Sequence, residues 1–149
     1  MATTFKSTED ALVAAWSPLK ESTLLLEEIL ELGKSPSQLA SHERIPTYEV
    51  GGCLAKTWIV PVFKGAKLFL RTESEARISH GLSLLLVRLF SGQEAEQVAK
   101  AEVTFHKRIG LDRLISLQRR NGLESMIANI QDCAKAYLKS DNHDQLKSL

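Results

Sequence analysis

Two cysteines, Cys53 and Cys133, open the widest chemistry in this chain. A thiolate is a strong nucleophile and a soft ligand, and its use depends on what surrounds it. Two thiols make no disulfide framework, and a chain without export features meets a compartment that keeps thiols free. Cys133 follows Ile130 by three residues and Met126 by seven. That spacing puts it on or beside the apolar stripe of a helix, where a cysteine behaves as a small hydrophobe with little thiolate. Cys53 sits in Gly51-Gly52-Cys53-Leu54-Ala55. The glycines allow a tight turn, and the small neighbours leave room for the in-line approach that thiol exchange requires. Spacing alone leaves a plain turn thiol and a reactive one equally open. Lys56 would favour the thiolate by its charge, although a lysine at a strand start is more often simply solvated.

Other chemical groups carry less. His42, His80, His106 and His143 are scattered, with no pair at zinc-ligand spacing, and read as surface residues. Glu27, Glu28 and Glu31 form the wet face of a helix. No glycine-rich phosphate loop or serine elbow occurs. Arg119-Arg120 is either an anion site or a solvent-facing pair at a helix start. Neither a metal nor a cofactor is expected.

The elements that must position Cys53 follow from periodicity and punctuation. A first helix is expected over Thr8 to Trp16, and a second from Ser17 as N-cap with Pro18 at its first position. Leu25, Leu26, Ile29, Leu30 and Leu32 form the apolar stripe of the second helix. Gly33 is expected as its left-handed C-cap, followed by a loop from Lys34 to Pro46. Lys56 to Phe63 and Lys67 to Thr72 read as a hairpin around Lys64-Gly65-Ala66, with Pro61 at an edge or bulge and a third strand over Thr47 to Val50. Thr72 and Glu75 have capping-box spacing for a core helix carrying Ile78, Leu82, Leu85, Leu86, Leu89 and Phe90 until Ser91-Gly92. Short helices are expected over Gln93 to Lys100 and Thr104 to Leu114, then a long one marked by Leu123, Met126, Ile127, Ile130, Ala134, Tyr137 and Leu138. The order predicts an α+β domain, a small antiparallel sheet packed against several helices, over residues 1–139 with a polar tail at 140–149.

The bounds agree with one ordinary domain. The 149 residues are 44% hydrophobic and 25% charged, with a formal net charge of +1. That balance excludes the basic footprint of a nucleic-acid binder. Leu82 to Phe90 is broken by Ser83 and Arg88 and falls far short of the ~20 residues that span a bilayer. Glu9 and Asp10 argue against a secretory or transit segment. A soluble, cytoplasmic protein without a membrane partner is the expectation.

At several separated places, in order and at fitting intervals, the chain resembles the SufE family, and the likeness covers most of its length. Glu31-Leu32-Gly33 resembles the family's helix ending, and Gly52-Cys53 followed by Trp58-Ile59-Val60 its cysteine loop and first long strand. Glu73-Ser74-Glu75-Ala76-Arg77-Ile78, then Gly81-Leu82 and Phe90-Ser91-Gly92, resembles its central segment. Ser116-Leu117-Gln118-Arg119 and Asn121-Gly122-Leu123 resemble the start of its last helix.

The resemblance implies an α+β fold like that of the IscU scaffolds. It also implies a sulfur carrier that stimulates a pyridoxal-phosphate cysteine desulfurase of the SufS or CsdA kind and hands sulfur to a SufBCD-like scaffold, as a monomer or homodimer. By position, Cys53 would carry the persulfide, Glu75 would lie at the cysteine loop and docking surface, and Arg119 would face the partner. The protein would be a co-substrate and activator, not an enzyme in its own right. The chain departs from the family at Leu54-Ala55, where Gln-Ser is common, at Glu73 and Glu75 for aspartates, at Leu117-Gln118 for Pro-Ser, and at His80 for lysine. Those changes suggest a partner-facing surface tuned to a different desulfurase. Two other classes are an IscU-like cluster scaffold, which normally needs several thiolates, and a thiol enzyme such as a peroxidase.

Overall fold

Leucine spacing decides the centre of the molecule. In the computed structural model, which describes residues 4–19 and 23–147 without the side chains of 141–147, helix α3 (Arg77–Phe90) buries Leu82, Leu85, Leu86, Leu89 and Phe90 almost completely. It lies on one face of a two-stranded antiparallel hairpin, β1 (Thr57–Lys64) and β2 (Lys67–Ser74). Leu68, Leu70 and Thr72 of β2 point into the core while Lys67, Phe69 and Arg71 point out, the period-two alternation of a strand with one covered face. Pro61 pairs with Leu70, and in a two-stranded sheet its missing N–H falls at an edge, as expected. The loop is two residues, Gly65 and Ala66, with Gly65 in the left-handed region at φ 62°.

The remaining helices close around this centre. They are α1 (Phe5–Trp16), α2 (Thr23–Leu32), α4 (Ala95–Lys100), α5 (Phe105–Arg108) and α6 (Leu117–Lys147). Helix α1 begins earlier than its pattern suggests because the Thr4 side chain accepts from Ser7 N and caps it. Its buried Glu9 accepts from Thr104 N at 2.8 Å and Phe105 N at 3.0 Å, so a carboxylate satisfies the start of α5. Gln131 of α6 donates to the Val98 and Ala101 carbonyls at the end of α4. Helix α6 runs the length of the hairpin and continues to Lys147, into the segment 140–149 that the sequence sets apart as a polar tail. Tyr137 stacks on Phe63 at 4.1 Å and donates to the Gly65 carbonyl.

Several expectations are corrected. Ser17 closes α1, donating its hydroxyl to Val13 O, and Ser17–Leu19 form a 3-10 turn; the expected early turn of the next helix at 20–22 lies outside the described residues. Thr47 to Val50 is no strand: Pro46–Tyr48 form a 3-10 turn, and a single bridge joins Glu49 to Trp58. Residues before that turn instead cover the outer face of the hairpin, where Leu39 packs with Trp58 and Val60. The Thr72–Glu75 capping box does not form, because β2 continues to Ser74 and Thr72 is buried in the strand. Its hydroxyl bonds Ser83 Oγ at 2.8 Å; since Ser83 donates to His80 O, Thr72 is the donor. Ala76 occupies the N-cap without a side-chain bond.

Gly33 is also corrected, since it is not among the glycines with positive φ. A Cβ there would collide with the Arg77 carbonyl, and a Cβ on Gly81 would collide with the Ile29 carbonyl. Each glycine therefore allows α2 and α3 to touch backbone to backbone. Gly81→Ala should destabilise the fold by about 1–3 kcal/mol, the usual cost of forcing atoms into a packed core. Thermal unfolding should show a Tm lowered by ~3–10 °C; an unchanged Tm would contradict the close approach.

Candidate functional site

The loop that carries Cys53 is pinched at its base. Val50 N donates to Thr57 O at 2.9 Å, and the Glu49–Trp58 bridge lies just outside it. Between these ends, Gly51 and Gly52 form a turn in which Gly52 takes φ 82°, a region that glycine enters without strain. A side chain there would also meet Ser125 Oγ at 2.6 Å. The loop thus lies flat on the first turns of α6. Cys53 Sγ is 3.6 Å from Gly122 O, and a Cβ on Gly122 would come within 3.4 Å of Cys53 Cα. A glycine inside a helix weakens it by roughly 0.5–1 kcal/mol, and here its bare backbone forms the floor beneath the thiol.

The thiol is half-buried and packs against the edge of the main core. The expectation that exposure separates the two cysteines is therefore corrected, because Cys133 is half-buried as well. Neighbouring charge separates them. Burial pushes the Cys53 thiol above its ordinary value, while a hydrogen bond available from Thr57 and the positive charge of Arg119 pull the other way. Burial also raises Cys133, and the negative charge of Asp132 raises it further. Cys53 thus has a cation that favours its thiolate, and Cys133 has an anion that opposes one.

Arg119 belongs to this site by geometry. It stands three residues before Gly122, on the same face of α6, and its backbone N–H bonds the Ser116 hydroxyl at the helix start. Its guanidinium donates to Ser79 Oγ at 2.6 Å, tying α6 to the first turn of α3. Lys56 and Glu75 meet at the base of the loop, where Glu75 N donates to Lys56 O at 2.9 Å, and both side chains are exposed. All four residues singled out from the sequence therefore lie at one end of the hairpin. Arg119, not Lys56, supplies the charge that acts on the thiol.

Thr57, Ser79, Gly122 and Ser125 were not picked out individually by sequence reasoning. Gly122 left one readable signal, a glycine within a helical pattern, which often marks a close approach. The histidine reading is corrected at two positions. His80 and His106 are 4% and 1% exposed, not surface residues. His80 accepts from Ser74 N and bonds Ser35 O, and His106 bonds Glu124 at 2.8 Å. Among the described residues, no three His, Cys, Asp or Glu side chains converge as metal ligands would. Nor is any helix among them long and apolar enough to cross a membrane.

Comparison with known proteins gives the chain a family. A family model described as SufE, Fe-S metabolism associated domain, matches residues 10–134. An uncharacterised SufE-like protein of Rhizobium etli is 33% identical over 112 residues, covering 72% of this chain and 76% of the relative. A second, from Rhizobium meliloti, is 32% identical over 115 residues, covering 74% and 82%. The chain matches a third of the length of the SufE-like protein 1 of Arabidopsis thaliana, named chloroplastic/mitochondrial, at 25% identity over 80% of its own residues. In fold it resembles a hypothetical protein from Thermus thermophilus, with a TM-score of 0.72 and 19% identity, over 89% of this chain and 96% of the other. With a family match that spans the cysteine loop and the helices around it, the chain belongs to the SufE family, whose sulfur-transfer role in iron–sulfur metabolism is associated with cysteine desulfurases.

Proposed function

We propose that Cys53 carries sulfur as a persulfide between a cysteine desulfurase and a cluster-assembly scaffold. The observation that carries this reading is the pairing of a loop thiol with a positive neighbour, Arg119, on the face of α6 where the loop rests. The Cys53 thiolate attacks the terminal sulfur of the desulfurase's persulfide. A sulfur–sulfur bond forms to Cys53 Sγ as the bond to the enzyme's own sulfur breaks, and the enzyme's thiolate leaves. The carrier then holds an anion, and the positive charge of Arg119 stabilises it. Transfer onward, to a SufBCD-like scaffold, repeats the exchange with Cys53 as leaving group.

The half-buried thiol requires the loop to lift from Gly122 and Ser125 when the desulfurase docks. Two glycines in a loop pinched only at its base make that motion inexpensive. Lys56 and Glu75 lie at that base, so a partner reaching the thiol meets both charges, and Arg119 beside them. A peroxidase reading fits less well, since a sensor thiol wants a low pKa and open access, and burial opposes both here. A scaffold reading lacks converging ligands among the described residues.

Incubation with desulfurase and free cysteine should add one sulfur to the peptide containing Cys53, detected by mass spectrometry. Cys53→Ser should abolish desulfurase stimulation and Cys133→Ser should preserve it; full stimulation by the first variant would sink the carrier mechanism. Reversing Arg119 to Glu should weaken association with the desulfurase, measured by titration calorimetry, and lose that difference as salt rises.

The pH dependence has a definite sign. Alkylation rate follows the thiolate fraction, and the Cys53 thiol titrates above its ordinary value, so the rate in the free protein should keep climbing beyond the pH at which an exposed cysteine levels off. Arg119→Met removes a charge that lowers the value. Its profile should move to higher pH and its alkylation rate at neutral pH should fall severalfold. A profile unmoved by the substitution would show that Arg119 does not act on the thiol.

A further inference from the structure

Large apolar side chains in the open are informative when they gather around a reactive group. Six are exposed among the described residues, and the two most exposed are Leu54, at 62%, and Leu117, at 58%. Both lie near the thiol, one along the loop and the other along α6. Leu54 follows Cys53 in the loop, so their Cα atoms are about 3.8 Å apart across one peptide. Leu117 begins α6, five residues before the glycine that touches Cys53, which is roughly 7.5 Å along the helix axis. Arg119 lies between Leu117 and Gly122 on that helix. By contrast, Val62 and Phe69 face each other across the hairpin five residues beyond Thr57, roughly 17 Å up the strand.

We infer that Leu54 and Leu117 are apolar docking anchors, and that their occupant is an apolar recess on the cysteine desulfurase beside its persulfide-bearing cysteine. The inference rests on the reading of Cys53 as a persulfide carrier. Transfer brings the two reacting sulfurs to roughly 3–3.5 Å, which fixes where the partner's surface must lie. A standard interface covers about 800 Å² on each partner, a disc of roughly 16 Å radius. Centred on Cys53, that disc includes both leucines. Sulfur transfer therefore forces the partner to cover them, and covering them removes apolar surface from water only if the partner meets them with apolar groups. Leucine anchors with an arginine between them match the make-up of an interface centre, where charged residues are depleted but arginine is retained. The same contact gives the loop a reason to lift. Leu54 gains cover by moving out with the partner, and Cys53, next in the chain, moves with it.

The test compares wild type with Leu54→Gln, Leu117→Gln, the double variant, and Val62→Thr/Phe69→Gln as a remote control. Each is titrated into the source organism's cysteine desulfurase while alanine release from free cysteine is followed. The concentration giving half-maximal stimulation should rise about tenfold for each anchor variant, with the rate at saturation nearly kept, and the remote control should match wild type. Equal half-maximal concentrations for wild type and the double variant would overturn the docking assignment while leaving the carrier reading intact. A wild-type chain that takes no sulfur from the desulfurase would overturn the carrier reading and the anchors with it. Loading of Cys53 from inorganic polysulfide, a donor with no surface to cover, supplies the third arm. A double variant slowed as much toward polysulfide as toward the enzyme would mean that Leu54 acts on the thiol, not on docking, and would overturn the assignment. Sedimentation that finds a wild-type dimer, split to monomers by the double variant, would assign the leucines to a second copy of the chain and overturn it too.

Discussion

The backbone contact between α2 and α3 holds the rest of the molecule in place. Helix α3 is buried on nearly every side, so its neighbours must reach it closely, and a Cβ at Gly81 or Gly33 would push α2 away. With α2 seated, Arg77 Nε donates to Leu30 O, and the first turn of α3 is held against the end of α2. That turn carries Ser79 and His80. One bonds the guanidinium of Arg119, and the other fixes the end of β2 through Ser74. The close approach of two helices is thereby transmitted to the end of the hairpin where the cysteine loop begins.

Helix α6 does the complementary work from the other side. Its Tyr137 is anchored at the hairpin tip, against Phe63 and the Gly65 carbonyl, and its Gly122 lies beneath Cys53. Fifteen residues of helix span about 22 Å, and eight residues of strand about 26 Å, so one straight helix can be pinned at both ends of the hairpin. The loop itself needs few contacts. Its base is held by backbone bonds, and its tip rests on a helix whose position was fixed elsewhere.

Two demands on the thiol oppose each other. Burial protects it and suppresses its thiolate, whereas nucleophilic attack needs the thiolate and an open path. For the carrier role proposed above, the arrangement around Cys53 would reconcile these by geometry instead of by a permanently lowered pKa. A neighbouring cation is ready, the floor is bare backbone, and the cover is a loop with two glycines. Cys133 meets the same degree of burial with an anion beside it and no loop to lift, and so has no comparable route to reactivity.

The sequence by itself determined the elements that periodicity and punctuation specify: the α3 leucines, the hairpin with its glycine turn, the apolar stripe of α6, and a cysteine placed after two glycines. These rest on local rules, in which side-chain spacing and backbone freedom act within a few residues. Tertiary structure alone decided the rest. Gly33 looked like a left-handed cap because a helix-ending glycine usually is one, yet its use depends on Arg77, far along the chain. Thr72 and Glu75 had capping-box spacing, but pairing with β1 extended the strand past Thr72, and Ser83 took its hydroxyl. His80 and His106 read as surface residues because a polar side chain gives no local sign of the partners that allow its burial. Lys56, three residues from Cys53, read as a lysine more often solvated than paired, and the cation beside the thiol is Arg119, brought in from sixty-six residues further on by the packing of α6. Charge acts through space, and sequence distance does not measure it.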